Sequence, residues 1–291
     1  MSTTTGAADW GAATARALHD VEPPRTNNGP AKRDPATILA LANQKGGVGK
    51  TTTAISLGAA LTELGERVLL VDMDPQGSLG VGLGLEPHGQ DATIYDLLMQ
   101  SGATLDDVLV ETNVPGLHLL PANIDLAAAE LLLVQEVARE QALQRVLDRL
   151  RYRYDRIIVD CPPSLGLLTV NGLTAADGVL VPLECEYFAL RGMSLLMQTL
   201  ERVRERLNPD LKLEGIVATM FDSRTLHARE VLERVREAFG DAVYETTVTK
   251  TIRFAEAPVA GEPILSYASR SRGADAYREL AKEVRAREPA S

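Results

Sequence analysis

The sequence predicts an α/β protein with a doubly wound, mostly parallel β-sheet. Three observations support this prediction: short apolar runs recur from residue 37 onward, longer helical stretches separate them, and a glycine-rich turn joins the first run to the first long stretch. Near-continuous apolar runs are typical of strands that are buried on both faces of a parallel sheet. Because strands and helices alternate along most of the chain, we expect one doubly wound domain.

The predicted elements follow one another in a regular order. The strands are TILALAN, RVLLVDMD, LHLLPA, RIIVDCP, GVLVPLE and GIVATMF, and the helices among them are KTTTAISLGAALTELG, EQALQRVLDRLRYRY and LRGMSLLMQTLERVRERLN. Near the end of the chain, a helical pattern places Tyr277, Leu280, Ala281 and Val284 on one narrow apolar stripe, which suits packing on the domain. The domain is therefore expected to span residues 37–291.

Residues 1–36 have the composition of a flexible tail, since they are rich in Pro, Gly, Ser, Thr and Asn. Within them, Trp10, Ala13, Ala17 and Val21 have the spacing of one face of a short helix. A peptide that docks on a partner is therefore the alternative to a disordered leader.

Composition excludes several classes of protein. The formal charge is −10, so contact with nucleic acid would need a local basic patch. No run of about eighteen apolar residues is present and the first residues lack the pattern of a secretory signal, so we expect a cytoplasmic protein without a membrane anchor. The chain has two cysteines, Cys161 and Cys185, which are too few for a disulfide framework and lack metal-ligand spacing. We therefore expect both to be small buried residues without a redox or metal-binding role.

The stretch KGGVGKTT, residues 45–52, has the features of a phosphate-binding loop. The pattern G-x-x-x-x-G-K-[ST] would require glycine at position 44, which is Gln44, but the rest of the motif is in register between a strand and a helix. Its glycines allow backbone N–H groups to point inward, Lys50 can reach β and γ phosphates, and Thr51 can ligate Mg²⁺. The expected phosphate-binding residues are Gly46, Gly47, Val48, Gly49, Lys50, Thr51 and Thr52.

Acidic residues follow two of the buried strands. Asp72 and Asp74 end VLLVDMD, and Asp160 ends RIIVD. Carboxylates at the carboxyl edge of such a sheet can orient an attacking water or hold a metal-bound water. Taken alone, an aspartate that closes a strand is often a turn or helix cap.

Three motifs resemble those of the ParA/MinD/Soj family of P-loop ATPases, which implies a P-loop NTPase fold that binds ATP and Mg²⁺. KGGVGKTT resembles the deviant Walker A motif, DMDPQG the Walker A′ motif and RIIVDCPPS the Walker B motif. The resemblance implies that Lys45 is the signature lysine, which crosses a homodimer interface to the partner's ATP. It also implies catalysis by Lys45, Lys50 and Asp74, with the metal near Thr51, Asp72 and Asp160.

Basic residues near the end of the domain are candidates for DNA binding. Residues 250–272 contain four basic side chains and two acidic ones, and by composition alone these read as scattered solvated charges. However, MFDSRT and RFAEAP resemble segments of ParA/Soj proteins that carry DNA-binding residues. The expected DNA contacts are Arg224, Lys250, Arg253, Arg270 and Arg272. Thr249, Lys250 and Thr251 replace a Pro-Arg-Asn-like turn that lies near the adenine in the family, so they are expected cofactor contacts.

The resemblance implies a ParA/Soj-like partitioning ATPase: an ATP-dependent homodimer that binds DNA non-specifically over the nucleoid and hydrolyses ATP slowly when a ParB-type partner stimulates it. Two alternatives stay open. An orphan ATPase of the same kind would position a division, condensation or other protein complex, with the same motifs. A small-molecule kinase or ligase, similar to dethiobiotin synthetases, would use the phosphate loop on a metabolite. After Val284 the sequence has no Leu, Phe or Trp that could insert into a bilayer, so we expect no membrane targeting by an amphipathic helix like that of MinD-like members.

Overall fold

A computed structural model of the chain describes residues 34–86 and 89–287. Most of the expected tail at residues 1–36, including Trp10 and its apolar neighbours, lies outside the described residues. The fold below therefore concerns the part of the chain from residue 34 onward.

An eight-stranded β-sheet forms the centre of this part of the chain. Its strands are β1 (Thr37–Leu41), β2 (Val68–Asp72), β3 (Val110–Glu111), β4 (Leu117–Leu120), β5 (Arg156–Asp160), β6 (Gly178–Glu184), β7 (Lys212–Phe221) and β8 (Val243–Thr249). They lie in the order β3-β4-β2-β5-β1-β6-β7-β8. Only the β3–β4 pair is antiparallel among the described strands, and the other neighbours are parallel. The prediction of a mostly parallel, doubly wound sheet is confirmed.

Helices connect the strands and cover the sheet. They are α1 (Lys50–Glu63), α2 (Ser78–Gly82), α3 (Ile94–Met99), α4 (Leu105–Val108), α5 (Leu126–Leu132), α6 (Ala142–Leu147), α7 (Leu167–Ala175), α8 (Ala189–Arg206), α9 (Leu226–Phe239), α10 (Arg253–Ala260), α11 (Ile264–Tyr267) and α12 (Arg272–Arg287). Within the described part of the chain, none of these helices has the length and apolar character to cross a bilayer.

The sheet separates two hydrophobic layers, because successive side chains of a strand point to opposite faces. In β1, Leu39 and Leu41 belong to the layer under α1, α2, α11 and α12, whereas Ile38 and Ala40 belong to the layer under α3 to α9. Both layers are almost fully removed from solvent, and each fully buried leucine contributes about 1.5–3 kcal/mol to stability. The burial of both layers holds the strands in place, and with them the loops at their carboxyl ends.

Helix α12 packs against α1, the helix that follows the phosphate loop. The predicted apolar stripe of Tyr277, Leu280, Ala281 and Val284 is buried throughout, as its spacing indicated. The Tyr277 hydroxyl is 3.0 Å from the Thr53 hydroxyl, so a hydrogen bond joins the two helices inside the core. The last helix of the domain therefore supports the helix on which the predicted site depends.

The structure corrects the extent of two predicted elements. The helix predicted from EQALQRVLDRLRYRY is reduced to α6, because the chain turns after Leu147 to bury Tyr154, whose hydroxyl is 2.8 Å from His118 Nδ1. The strand predicted as GIVATMF begins earlier, at Lys212. As predicted, Cys161 and Cys185 are buried and free of disulfides.

Candidate functional site

The predicted site residues meet at one edge of the sheet. Strand β5 lies between β1 and β2, so the carboxyl ends of these three strands are neighbours. Asp72 and Asp160 are directly paired in the register of β2 and β5. The phosphate loop follows β1 at the same edge, where open α/β proteins bind their ligands.

The loop between β1 and α1 has the backbone conformation of an anion-binding turn. Gly47 and Gly49 have φ values of 76° and 84°, which side chains other than glycine rarely tolerate. Helix α1 begins at Lys50 without a side-chain cap, so the first N–H groups of the helix stay available to a ligand. The Thr219 hydroxyl donates to the Val48 carbonyl at 2.8 Å, which ties the loop to β7.

Lys50 lies inside the site rather than on its surface. The residue is 7% exposed, and its Nζ lies 3.4 Å from the Lys45 carbonyl oxygen. Burial lowers the pKa of Lys50, and the nearby Asp160, Cys161 and Asp74 oppose that shift. A buried ammonium group with few partners is well placed to gain from a bound phosphate.

Thr51 and Asp160 form the part of the site that fits a magnesium ion. The Thr51 hydroxyl donates to Asp160 Oδ2 at 2.6 Å, while Asp160 Oδ1 is buried with no hydrogen-bond partner among the described residues. Burial raises the pKa of Asp160 to about 7, although Thr51 and Lys50 both act to lower it. A hard cation would satisfy the orphaned oxygen. Nowhere in residues 34–86 and 89–287 do three or more His, Cys, Asp or Glu side chains group to hold a metal ion.

The two acids after β2 have different surroundings. The Asp72 carboxylate is fully buried and accepts hydrogen bonds from the backbone N–H groups of Asp74 at 3.0 Å and Leu79 at 3.1 Å. Burial raises the pKa of Asp72 well above its usual range, and the charge of Asp160 adds to the shift. Asp72 thus organises the loop into α2, and its metal role stays a prediction. Asp74 lines the cavity of the phosphate loop.

A cavity of about 510 Å³ opens from the phosphate loop. Its lining includes loop residues and Asp74 as well as the apolar side chains of Ile55, Phe254 and Ile264. This combination of polar phosphate-loop residues and apolar side chains in one cavity suits a nucleotide. The structure does not bring Thr249, Lys250 and Thr251 into this cavity, and their predicted adenine contacts stay untested.

Those three residues instead line a second cavity of about 760 Å³, which we call the basic cavity. Four of the five predicted DNA contacts also line it, and Arg270 lies exposed in the adjoining turn. The basic residues of the cavity are Arg224, Lys250, Arg253 and Arg272. Two of them are engaged: Arg224 forms a 2.8 Å ion pair with Asp222, and Arg253 a 2.8 Å ion pair with Glu256.

Sequence reasoning missed the partners of Lys45. Its Nζ lies 2.7 Å from Glu184 Oε2 and 2.6 Å from Glu186 Oε2. A signal was present, because one acid ends the apolar strand GVLVPLE and a second follows two residues later. Without knowledge that β6 lies beside β1, nothing in the sequence connects them to Lys45.

Comparison with known proteins identifies the family. A family described as an AAA domain matches residues 36–213. The sporulation initiation inhibitor protein Soj of Bacillus subtilis is 50% identical over 249 residues, which cover 86% of this chain and 98% of Soj. The chain belongs to the ParA/Soj family. Another relative of this ParA/Soj-family chain, the chromosome partitioning protein ParA of Caulobacter vibrioides, is 49% identical over 257 residues, which cover 88% of the chain and 96% of that protein.

A solved structure with the same fold carries a different name. The crystal structure of cobyrinic acid a,c-diamide synthase from Mycobacterium smegmatis is 45% identical to this ParA/Soj-family chain, with a TM-score of 0.75 over 85% of the chain and 92% of that structure. The same protein has been solved with bound ADP and magnesium, and with a bound ATP analogue and magnesium. The predicted family and fold are confirmed. The Mycobacterium smegmatis structures also show that a relative binds an adenine nucleotide together with magnesium.

Proposed function

We propose that this chain is an ATP-dependent dimeric switch that binds DNA non-specifically and segregates or positions chromosomal or plasmid DNA. One observation carries the proposal: a phosphate loop with a second lysine at its entrance, Lys45, stands in a chain about half identical to Soj and to a chromosome partitioning ParA. The relative solved with ADP or an ATP analogue and magnesium supports ATP and Mg²⁺ as the cofactors.

Each described residue has a task in this switch. Backbone N–H groups of the loop and the Lys50 ammonium bind the phosphates, and Thr51 and Asp160 hold Mg²⁺. The ion supplies positive charge to the phosphate oxygens. Asp74, at the wall of the cavity, orients the attacking water. Lys45 stabilises the negative charge of γ-phosphoryl transfer in a second subunit, which makes dimerisation depend on ATP.

The basic cavity and Arg270 supply the proposed DNA surface. Because the whole chain carries a formal charge of −10, attraction to DNA has to be local, and this cluster is the predicted place for it. Hydrolysis is expected to be slow until a ParB-type protein stimulates it, and the loss of ATP then releases the DNA.

The proposal is tested by retention of the protein on a random-sequence DNA duplex with ATP, with ADP and without nucleotide. We expect retention only with ATP, and loss of retention in Lys45→Gln and in Arg253→Glu. Arg149→Glu is the matched control, because Arg149 is exposed at the opposite edge of the sheet, before β5 begins. Wild-type protein that ignores ATP in this assay would overturn the DNA switch.

The name of the Mycobacterium smegmatis structure favours a second candidate, a ligase that uses ATP on a small molecule. This candidate predicts ATP turnover that depends on cobyrinic acid with an ammonium source and is indifferent to DNA. ATPase assays with each addition alone separate the two functions, since stimulation by cobyrinic acid supports the ligase and stimulation by DNA with a ParB-type protein supports the switch.

An orphan positioning ATPase would share every residue of the site and differ only in its partner. Immobilised ParB-type protein from the same genome distinguishes this version. ATP-dependent capture supports DNA partitioning, and absence of capture together with ATP-dependent DNA binding supports a protein cargo.

A further inference from the structure

The ammonium group of Lys45 lies between two carboxylates of its own subunit, and we call Glu184 and Glu186 the acidic clasp. Lys45 Nζ is within hydrogen-bond distance of both, at 2.7 and 2.6 Å. The side chains of Lys45 and Glu186 are 42% and 58% exposed, whereas that of Glu184 is 19% exposed. The ion pairs of Lys45 are therefore partly exposed, so that a second subunit could reach the Lys45 side chain.

The backbone around the clasp is built to bring these groups together. Strands β1 and β6 are parallel neighbours, so the chain segments after both strands leave from the same edge. The buried Asn43 joins them, because its Nδ2 donates to the Pro182 carbonyl at 2.9 Å and its Oδ1 accepts from the Lys45 N–H at 3.0 Å. Glu184 is the last residue of β6, and buried Cys185 separates it from Glu186, which lies in the segment that follows the strand.

In this structure the Lys45 ammonium group binds the carboxylates of Glu184 and Glu186, whereas under the proposed function it would bind the phosphates of a nucleotide in a second subunit. Lys45 is not among the described residues that line the cavity of the phosphate loop. Burial acts to lower the pKa of Lys45, but the hydrogen bonds and the negative charges of Glu184 and Glu186 together raise it. Lys45 likewise lowers the pKa of Glu186, and the charge of Lys250 contributes to the same shift.

We propose that Glu184 and Glu186 are positioning residues that hold Lys45 in the free subunit and release it when Lys45 meets the phosphates of a nucleotide in a second subunit. This inference rests on the proposed function of Lys45 and adds a regulatory step to it. Because the ion pairs of Lys45 with the acidic clasp must break before two subunits join, the clasp opposes dimerisation. It therefore raises the ATP concentration that dimerisation requires. The clasp also keeps Lys45 from engaging phosphates before a nucleotide-loaded partner arrives.

The size of the effect follows from the exposure of the groups. Partly exposed ion pairs of this kind change equilibria by about two- to fivefold each, because water competes for both charges. We therefore expect single glutamine variants to lower the ATP concentration at half-maximal dimerisation by about two- to fivefold. The double variant, which removes both carboxylate partners of the same ammonium group, is expected to lower it further than either single variant.

The experiment measures dimerisation against ATP concentration by light scattering, for Glu184→Gln, Glu186→Gln and the double variant. Glu201→Gln is the matched control, because Glu201 is an exposed glutamate on α8 that pairs with Arg204 at 3.6 Å, away from Lys45. A second readout is the acetylation rate of Lys45 in the nucleotide-free subunit, followed by peptide mass spectrometry. This rate rises in the clasp variants and stays at the wild-type value in the control.

Lys45→Gln, alone and combined with the double glutamine variant, separates the two proposals. Dimerisation of Lys45→Gln at wild-type ATP concentrations would overturn the proposed role of Lys45 itself. If Lys45→Gln fails to dimerise but the clasp variants need as much ATP as wild type or more, the clasp inference is wrong and the role of Lys45 stands. Lower ATP requirements in the clasp variants, abolished by Lys45→Gln, support the clasp.

Discussion

At the scale of single residues, the buried carboxylate of Asp160 has fewer hydrogen bonds than a buried negative charge needs. It accepts one hydrogen bond, from Thr51, while its second oxygen has no partner among the described residues. Burial raises the pKa of Asp160 to about 7, well above its value of about 3.9 in an unfolded chain. Between these two values the folded state binds a proton that the unfolded state has lost, so stability falls as pH rises through this window.

Asp160→Asn removes this pH dependence from the metal-free and nucleotide-free protein. We expect the variant to be more stable than wild type at pH 8, by on the order of 4 kcal/mol, and by only about 1 kcal/mol near pH 4.5, where the folded carboxyl is protonated and the unfolded one is just losing its proton. Denaturant unfolding at both pH values measures the difference, with Glu201→Gln as a control that changes neither. A gain that is equal at both pH values would show that the charge of Asp160 is not its cause. Because Asp72 lies beside it with a raised pKa, the titration belongs to the pair.

Several residues of the site were within reach of sequence reasoning because the motifs encode them locally. Lys50 and Thr51 follow a glycine-rich turn, and Asp160 ends an apolar strand that the parallel pattern places at the same edge. The clasp was not predictable, since Lys45 and Glu184 are 139 positions apart and their contact depends on the order of strands in the sheet. Strand order follows from tertiary packing, which a single pattern of apolar residues does not specify.

At the scale of elements, α12 determines how firmly the phosphate-loop helix is held. Tyr277→Phe removes the hydrogen bond with Thr53 and leaves the buried ring, so we expect a loss of about 1 kcal/mol in the free energy of unfolding. Leu280→Ala leaves a cavity under the same helix and is expected to cost about 2–5 kcal/mol. Urea unfolding compares both variants with Lys282→Ala, whose exposed side chain forms an ion pair with Glu279 at 2.8 Å.

A loss of more than about 0.5 kcal/mol in Lys282→Ala would mean that the surface of α12 matters as much as its apolar stripe. Equal stability of Leu280→Ala and wild type would contradict the burial of the stripe. The stripe itself was predictable from spacing, because period-3.6 apolar residues are the strongest helical signal. Strand β8 was missed for the opposite reason: it lies at the edge of the sheet, and its sequence VYETTVT alternates with threonines instead of forming a continuous apolar run.

At the scale of the whole molecule, the distribution of charge matters more than its sum. A chain with a formal charge of −10 repels DNA over most of its surface, while the basic cavity and Arg270 place five cations together. Asp222 and Glu256 pair with Arg224 and Arg253 in the free chain, so under the proposed function these two arginines would exchange a carboxylate for a phosphate of the DNA. Such an exchange makes binding modest in affinity and strongly dependent on salt.

Each phosphate that the protein neutralises contributes about −0.9 to the slope of log K against log salt concentration. Arg272→Ala removes one cation from each subunit, so a dimer bound with ATP should lose about two phosphate contacts and show a slope less negative by about 1.8. Fluorescence anisotropy with a random duplex at several salt concentrations measures the slope, and Arg149→Ala serves as the control with an unchanged slope. If Arg272→Ala and Arg149→Ala give the same slope as wild type, DNA does not contact the basic cavity. A shift in Arg272→Ala alone instead places the phosphates there, since only removal of a contacting cation changes the number of counterions released.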